Sequence, residues 1–152
     1  MMDTFLNELS VLWTADMAVG CLRLDQHNEH MFRELAAADA MAASMAPAAP
    51  AALAAWLSAV FDRFDWLLQE EEKELAGAGY PELAFHCTLH ARARARIQAA
   101  RAQLAKSSDA ESLAVLAHNS CVELSVWLMR HIQDADKLFF PYVDKRYRSG
   151  PA

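Results

Sequence analysis

The run AALAAWLSAVFDRFDWLLQEEEKELA at positions 51–76 decides the fold. Leu53, Leu57, Val60, Phe64, Leu67 and Leu75 recur at intervals of three or four, with Glu71 inside the same series. That period is one stripe of an α-helix turned toward a core. Pro50 stands where a helix can begin, and Gly77-Ala78-Gly79-Tyr80-Pro81 stops it. One amphipathic helix of this length must bury its stripe against others.

The rest of the chain supplies them. We expect a helix over about 25–44 with Asp25 as its cap, then a linker at 45–50 holding Pro47 and Pro50. A third helix should cover about 82–106, and a fourth about 110–131 with Asp109 as its cap. Residues 1–22 read as an N-terminal arm broken at Gly20, and 136–152 as a tail that can continue as helix. With only 4 Gly and 5 Pro, many alanines and few strand formers, the fold class is all-α. Short links make neighbours antiparallel, so the expectation is an up-down-up-down four-helix bundle in one domain spanning 1–152.

Composition also narrows the partners. A formal charge of -6 gives no nucleic-acid footprint. The local cluster Arg92, Arg94, Arg96 and Arg101 reads as a solvated helix face. The alanine-rich stretch 36–55 carries Asp39, Pro47 and Pro50, which argues against a membrane span. Residues 1–13 lack the basic and apolar regions of a signal peptide, so a cytoplasmic protein is expected. Cys21, Cys87 and Cys121 are odd in number and unpaired in spacing, which fits reduced thiols filling the core.

The chemistry lies in polar residues on apolar stripes. Glu71 is inward on the second helix. Leu83, His86, His90, Ile97 and Leu104 make the third stripe, with two histidines one turn apart. Leu113, Ala117, Cys121, Leu124, Leu128 and His131 make the fourth, and Leu24, His27, Met31, Leu35 and Ala38 the first. Each helix thus turns a His or Glu inward. A bound cation would satisfy all of them, since unpaired buried charge is costly. Imidazole suits iron, zinc, copper and nickel, and carboxylate can bridge two ions. His118 is read as structural or exposed, and Trp127 and Phe139 as a dry shell around the site.

These residues resemble the hemerythrin family, bacterial hemerythrins in particular. The resemblance runs from Trp13, Val19-Gly20 and Leu24-Asp25-Gln26-His27 through Glu71-Glu72, Tyr80-Pro81 and His86-x3-His90. It ends with Trp127-Leu128-x2-His131-Ile132-x3-Asp136 and Pro141-Tyr142. It implies a centre of two iron ions, joined by an oxo-type bridge. His86, His90 and His131 would be terminal ligands of the first iron, Glu71 and Asp136 bridges, and His27 a terminal ligand of the second. It further implies binding of a small diatomic ligand, dioxygen or nitric oxide, for carriage, storage or sensing rather than catalysis.

The sequence departs from that pattern at Leu67, where the family places a histidine four residues before the bridging Glu. His30 and Glu74 replace usual leucines and are candidate additional ligands. His30 lies toward the level of Leu67, and Glu74 toward that of the first metal. The rivals are a di-iron oxidase- or peroxidase-like enzyme, or a degenerate bundle with one metal, or zinc, kept for protein interaction. No His has a Glu three residues before it, and no HExxH occurs, which weighs against an enzyme. Sensing would work through a protein partner in trans.

Overall fold

The computed structural model describes residues 13–143, without the side chains of 43 and 45–48. Four helices account for most of it: α1 (Leu22–Ala48), α2 (Pro50–Gly77), α3 (Leu83–Lys106) and α4 (Ala110–Asp134). The fold is an all-α four-helix bundle. Two short 3-10 turns, Ala15–Met17 and Asp136–Phe139, flank it.

The helix ends follow local chemistry. Asp109 caps α4, its carboxylate accepting the Ser112 N–H at 2.8 Å. Pro50 is the first residue of α2, as its fixed φ allows. Gly79, at φ 68°, closes α2: the Tyr80 N–H donates to Leu75 O at 3.0 Å and the Gly79 N–H to Ala76 O at 3.2 Å. This 6→1 and 5→2 pair is the Schellman arrangement, and it swings Tyr80 back onto the core.

Two expectations change. The linker shrinks to Ala49, because α1 runs on through the alanine-rich segment to Ala48, where helix propensity is high. Asp25 does not cap α1, which begins at Leu22; its carboxylate accepts the Val19 N–H at 2.7 Å from the first turn. From residue 13 onward the arm is packed on the bundle, with Met17, Val19 and Cys21 buried. Gly20 makes this possible. Its φ is 87°, and a Cβ there would sit 2.0 Å from the Phe140 ring. The first twelve residues of the arm and tail residues 144–152 lie outside the described part.

Ion pairs fix the register. Arg23 meets Glu74, and Arg63 meets Glu34, so α1 and α2 run antiparallel. His118 on α4 meets Asp39 on α1 at 2.7 Å, the structural role expected for it. Such half-exposed pairs are each worth about 0–1 kcal/mol. Burial of a large apolar side chain is worth about 1.5–3 kcal/mol. Phe32, Phe61, Phe64 and Phe139, all fully buried, therefore hold the bundle more than the ion pairs do. The stripe expected on α4 is buried throughout. None of the three cysteines is in a disulfide, and burial pushes the Cys121 thiol up to about 12, which leaves it inert.

Candidate metal centre

The tight turn after α2 lays the end of that helix against the start of α3, so Glu71 faces His86 and His90. His131 comes from the last turn of α4, and the 3-10 turn after it carries Asp136 back over the same point. All five side chains are buried. Glu71 Oε1 lies 2.6 Å from His86 Nε2, 3.0 Å from His90 Nε2 and 3.4 Å from His131 Nε2. His131 Nε2 is also 3.0 Å from His90 Nε2 and 3.1 Å from His86 Nε2. Asp136 Oδ1 stands 2.8 Å from His131 Nε2 and 3.4 Å from His86 Nε2.

The charges respond to this crowding. Burial alone would raise Glu71, but the three imidazoles outweigh it and hold the carboxyl well below its usual range. Burial would depress His131, yet Asp136 and Glu71 lift it to about 10. Asp136 rises to about 7 through its own burial and the Glu71 charge. Burial dominates at His86 and lowers it.

A further layer orients the donors. His90 Nδ1 is 2.8 Å from Glu72 Oε1. An Nδ1–H donated there leaves the Nε2 lone pair facing Glu71, the tautomer a metal ligand needs. Arg94 donates to Glu72 from Nη1 at 2.7 Å and to Asp65 from Nε at 2.7 Å. Trp127 stacks flat on His131, centroids 4.5 Å apart at 14°, while Tyr80 and Phe139 put their edges to His86. The dry shell expected from Trp127 and Phe139 is present.

The α1 side differs. His27 is half-buried against Trp66 at 4.8 Å rather than within the cluster, and its Nδ1 is buried without a hydrogen-bond partner. Burial and the Arg23 charge lower its pKa, with Glu70 opposing. His30 has 67% of its side chain exposed and pairs with Glu34 at 2.7 Å. Glu74 is buried, but Arg23 Nη2 meets it at 2.5 Å. Leu67 is core. The structure thus gathers Glu71, His86, His90, His131 and Asp136, and leaves His27, His30 and Glu74 outside that group.

Residues 22–143 match the family model of the hemerythrin HHE cation-binding domain. The chain belongs to this family. No similar curated protein and no similar solved structure is found.

The donor set of this hemerythrin domain fits a metal ion. Three imidazole nitrogens lie within 3.1 Å of a neighbouring imidazole nitrogen, which no sharing of protons among them satisfies well. Asp136 is fully buried, yet neither of its oxygens has hydrogen-bond geometry with a donor. A cation at the centre meets both needs, and the bundle is metal-binding. Sequence reasoning missed Glu72 and Arg94. Arg94 is not part of a solvated face: its side chain is 30% exposed and spans Asp65 and Glu72. Arg101 likewise leans over Phe61 and bonds Ser58 and Asp62. The acidic run Glu70-Glu71-Glu72 opposite an arginine row was the available signal.

Proposed function

We propose that this protein binds a small ligand, dioxygen or nitric oxide, at a non-haem iron centre, and serves in its carriage, storage or sensing. The supporting observation is the convergence of three imidazoles and two carboxylates on one buried point. Glu71, His86, His90, His131 and Asp136 would hold the ion. When bound, it supplies a Lewis acid and a one-electron couple to which a diatomic molecule can attach.

The chain's own residues do the rest. Glu71 and Asp136 bring negative charge that offsets the ion's charge and favours its higher oxidation state. Glu72, steadied by Arg94, keeps His90 in the ligating tautomer. Trp127, Tyr80 and Phe139 pack around the imidazoles and would limit the access of water to them.

One firmly held ion accords with the geometry better than the pair implied by the resemblance. A second iron would share the two carboxylates and need its own imidazoles. His27 instead faces Trp66, and Leu67 stands where another imidazole is expected. Metal analysis of the protein purified from iron-supplied cells tests this. One iron per chain supports the reading; two restore the di-iron centre; none overturns the proposed function. Air exposure of the reduced protein then separates the roles: a stable ligand-to-metal absorption band supports binding, and peroxide turnover well above that of free iron would favour an oxidase- or peroxidase-like enzyme.

A further inference from the structure

Asn28 on α1 is 1% exposed, and neither its Oδ1 nor its Nδ2 has a hydrogen-bond partner. A buried carboxamide unmatched at both ends is uncommon, because each unpaired group lowers stability. A leucine of similar size would pack there without that cost. The register says what Asn28 faces. Pairing of Arg23 with Glu74 and of Glu34 with Arg63 sets Asn28 level with Gln69, between the inward Leu67 and Leu68 and the inward Glu71. Pairing of Asp39 with His118 sets it level with Met129, between the inward Leu128 and the inward His131 and Ile132. Along both helices it is within about one turn, roughly 5 Å of rise, of a cluster residue.

A cavity of about 510 Å³ adjoins this side, lined by His27, His30, Met31, Glu34, Arg63, Trp66 and Leu67. The buried Leu67 forms part of its lining. His27 contributes its unpartnered Nδ1, and Arg63 its positive charge, partly offset by Glu34.

We propose that Asn28 is the hydrogen-bonding wall of a site for a small anion or diatomic molecule at the open side of the metal centre, entered along the His27–Trp66 cavity. Its Nδ2–H donates to the outer atom of the ligand, while Leu67 and Leu68 keep the rest of the wall apolar. Asn28 is a positioning residue. This rests on the proposed metal centre and adds what selects the ligand.

The test uses the full chain as wild type, Asn28→Leu and Asn28→Ser. Metal per chain, melting of the metal-free form and azide titration of the ferric form by its absorption band are measured for each. Asn28→Leu should keep its metal and melt at or above the wild-type temperature when metal-free. Its azide affinity should fall about tenfold, the loss of one buried hydrogen bond to an ion. Asn28→Ser, which keeps a donor, should fall less. Unchanged azide affinity in metal-loaded Asn28→Leu overturns the proposal, and so does loss of a metal equivalent, which would make Asn28 a ligand. A lower melting temperature in both metal-free variants also overturns it, since the carboxamide would then be structural. A wild type that takes up no metal overturns the metal centre itself, which is a separate failure.

Discussion

Three histidines meet around Glu71, and two more lie on α1 beside Trp66, yet the two groups keep different company. His86, His90 and His131 are buried, carry carboxylates within 3.4 Å and stand inside aromatic walls. His27 shares its pocket with an indole, and His30 spends its ring on a surface pair with Glu34. Imidazoles alone therefore do not make a metal site. What separates the groups is convergence of lone pairs plus a partner behind the ring, which Glu72 gives His90 and nothing comparable gives His27.

The sharpest way to break this contrast is to remove one donor from the converged group. His90→Ala leaves Glu71 and two imidazoles without their closing member, and metal affinity should drop by roughly a hundredfold or more, read by competition with a chromogenic chelator. Retention of full affinity would mean that the ion sits elsewhere. A smaller effect should follow at the partner behind the ring. Glu72→Gln keeps the shape but loses the charge that holds the His90 Nδ1–H and pairs with Arg94, and affinity should fall about tenfold. Glu72→Gln with unchanged affinity would show that backbone placement alone fixes the His90 tautomer.

Much of this was legible because helical periodicity reports burial. The stripe Leu113 to His131 was read from spacing and is buried at every position, and the same logic brought Glu71, His86 and His90 together. Asp136 lies beyond the periodic run, in a 3-10 turn, and only the family resemblance pointed to it. On α1 the logic was ambiguous. Leu24, His27, Met31 and Leu24, Asn28, Met31 both fit intervals of three and four, and the structure buries Asn28 while leaving His27 at the stripe's edge. Arg94 was misjudged and Glu72 passed over for another reason: a charge on a helix flank is solvated or paired depending on what the facing helix presents, and one sequence does not give the facing residue.

The contrast can also be followed by pH. In the metal-free fold His131 titrates at about 10, against an ordinary value of 6.5. The folded state holds a proton that the unfolded chain releases between those values, so this stabilisation is complete below about pH 6.5 and is lost as pH rises through 10. Asp136, lifted from 3.8 to about 7, keeps a proton that the unfolded carboxylate has already lost, so its contribution also declines as pH rises, over a lower window. The melting temperature of the metal-free protein should therefore fall between pH 6.5 and 10. With metal bound, the ion takes the place of the His131 proton and the decline should vanish. Apparent metal affinity should rise by about tenfold per pH unit for each proton displaced. A metal-free melting temperature flat across that window would deny the His131–Asp136–Glu71 coupling.

The smallest effects belong to α1. His30 is mostly solvated, and an exposed i,i+4 pair contributes well under 1 kcal/mol, so His30→Ala should leave metal content unchanged and stability within about 0.5 kcal/mol. His27→Ala is the more informative change. It removes the ring packed on Trp66 and an unpartnered buried nitrogen, and those losses oppose one another in stability. Metal affinity should stay within about threefold of wild type, because His27 lies outside the Glu71 group among the described residues and an uncoupled site leaves binding nearly unchanged. If His27→Ala instead releases a metal equivalent, the ring must turn from Trp66 toward Glu71 when metal arrives, and the two halves of the bundle would be one centre that assembles only around its ions.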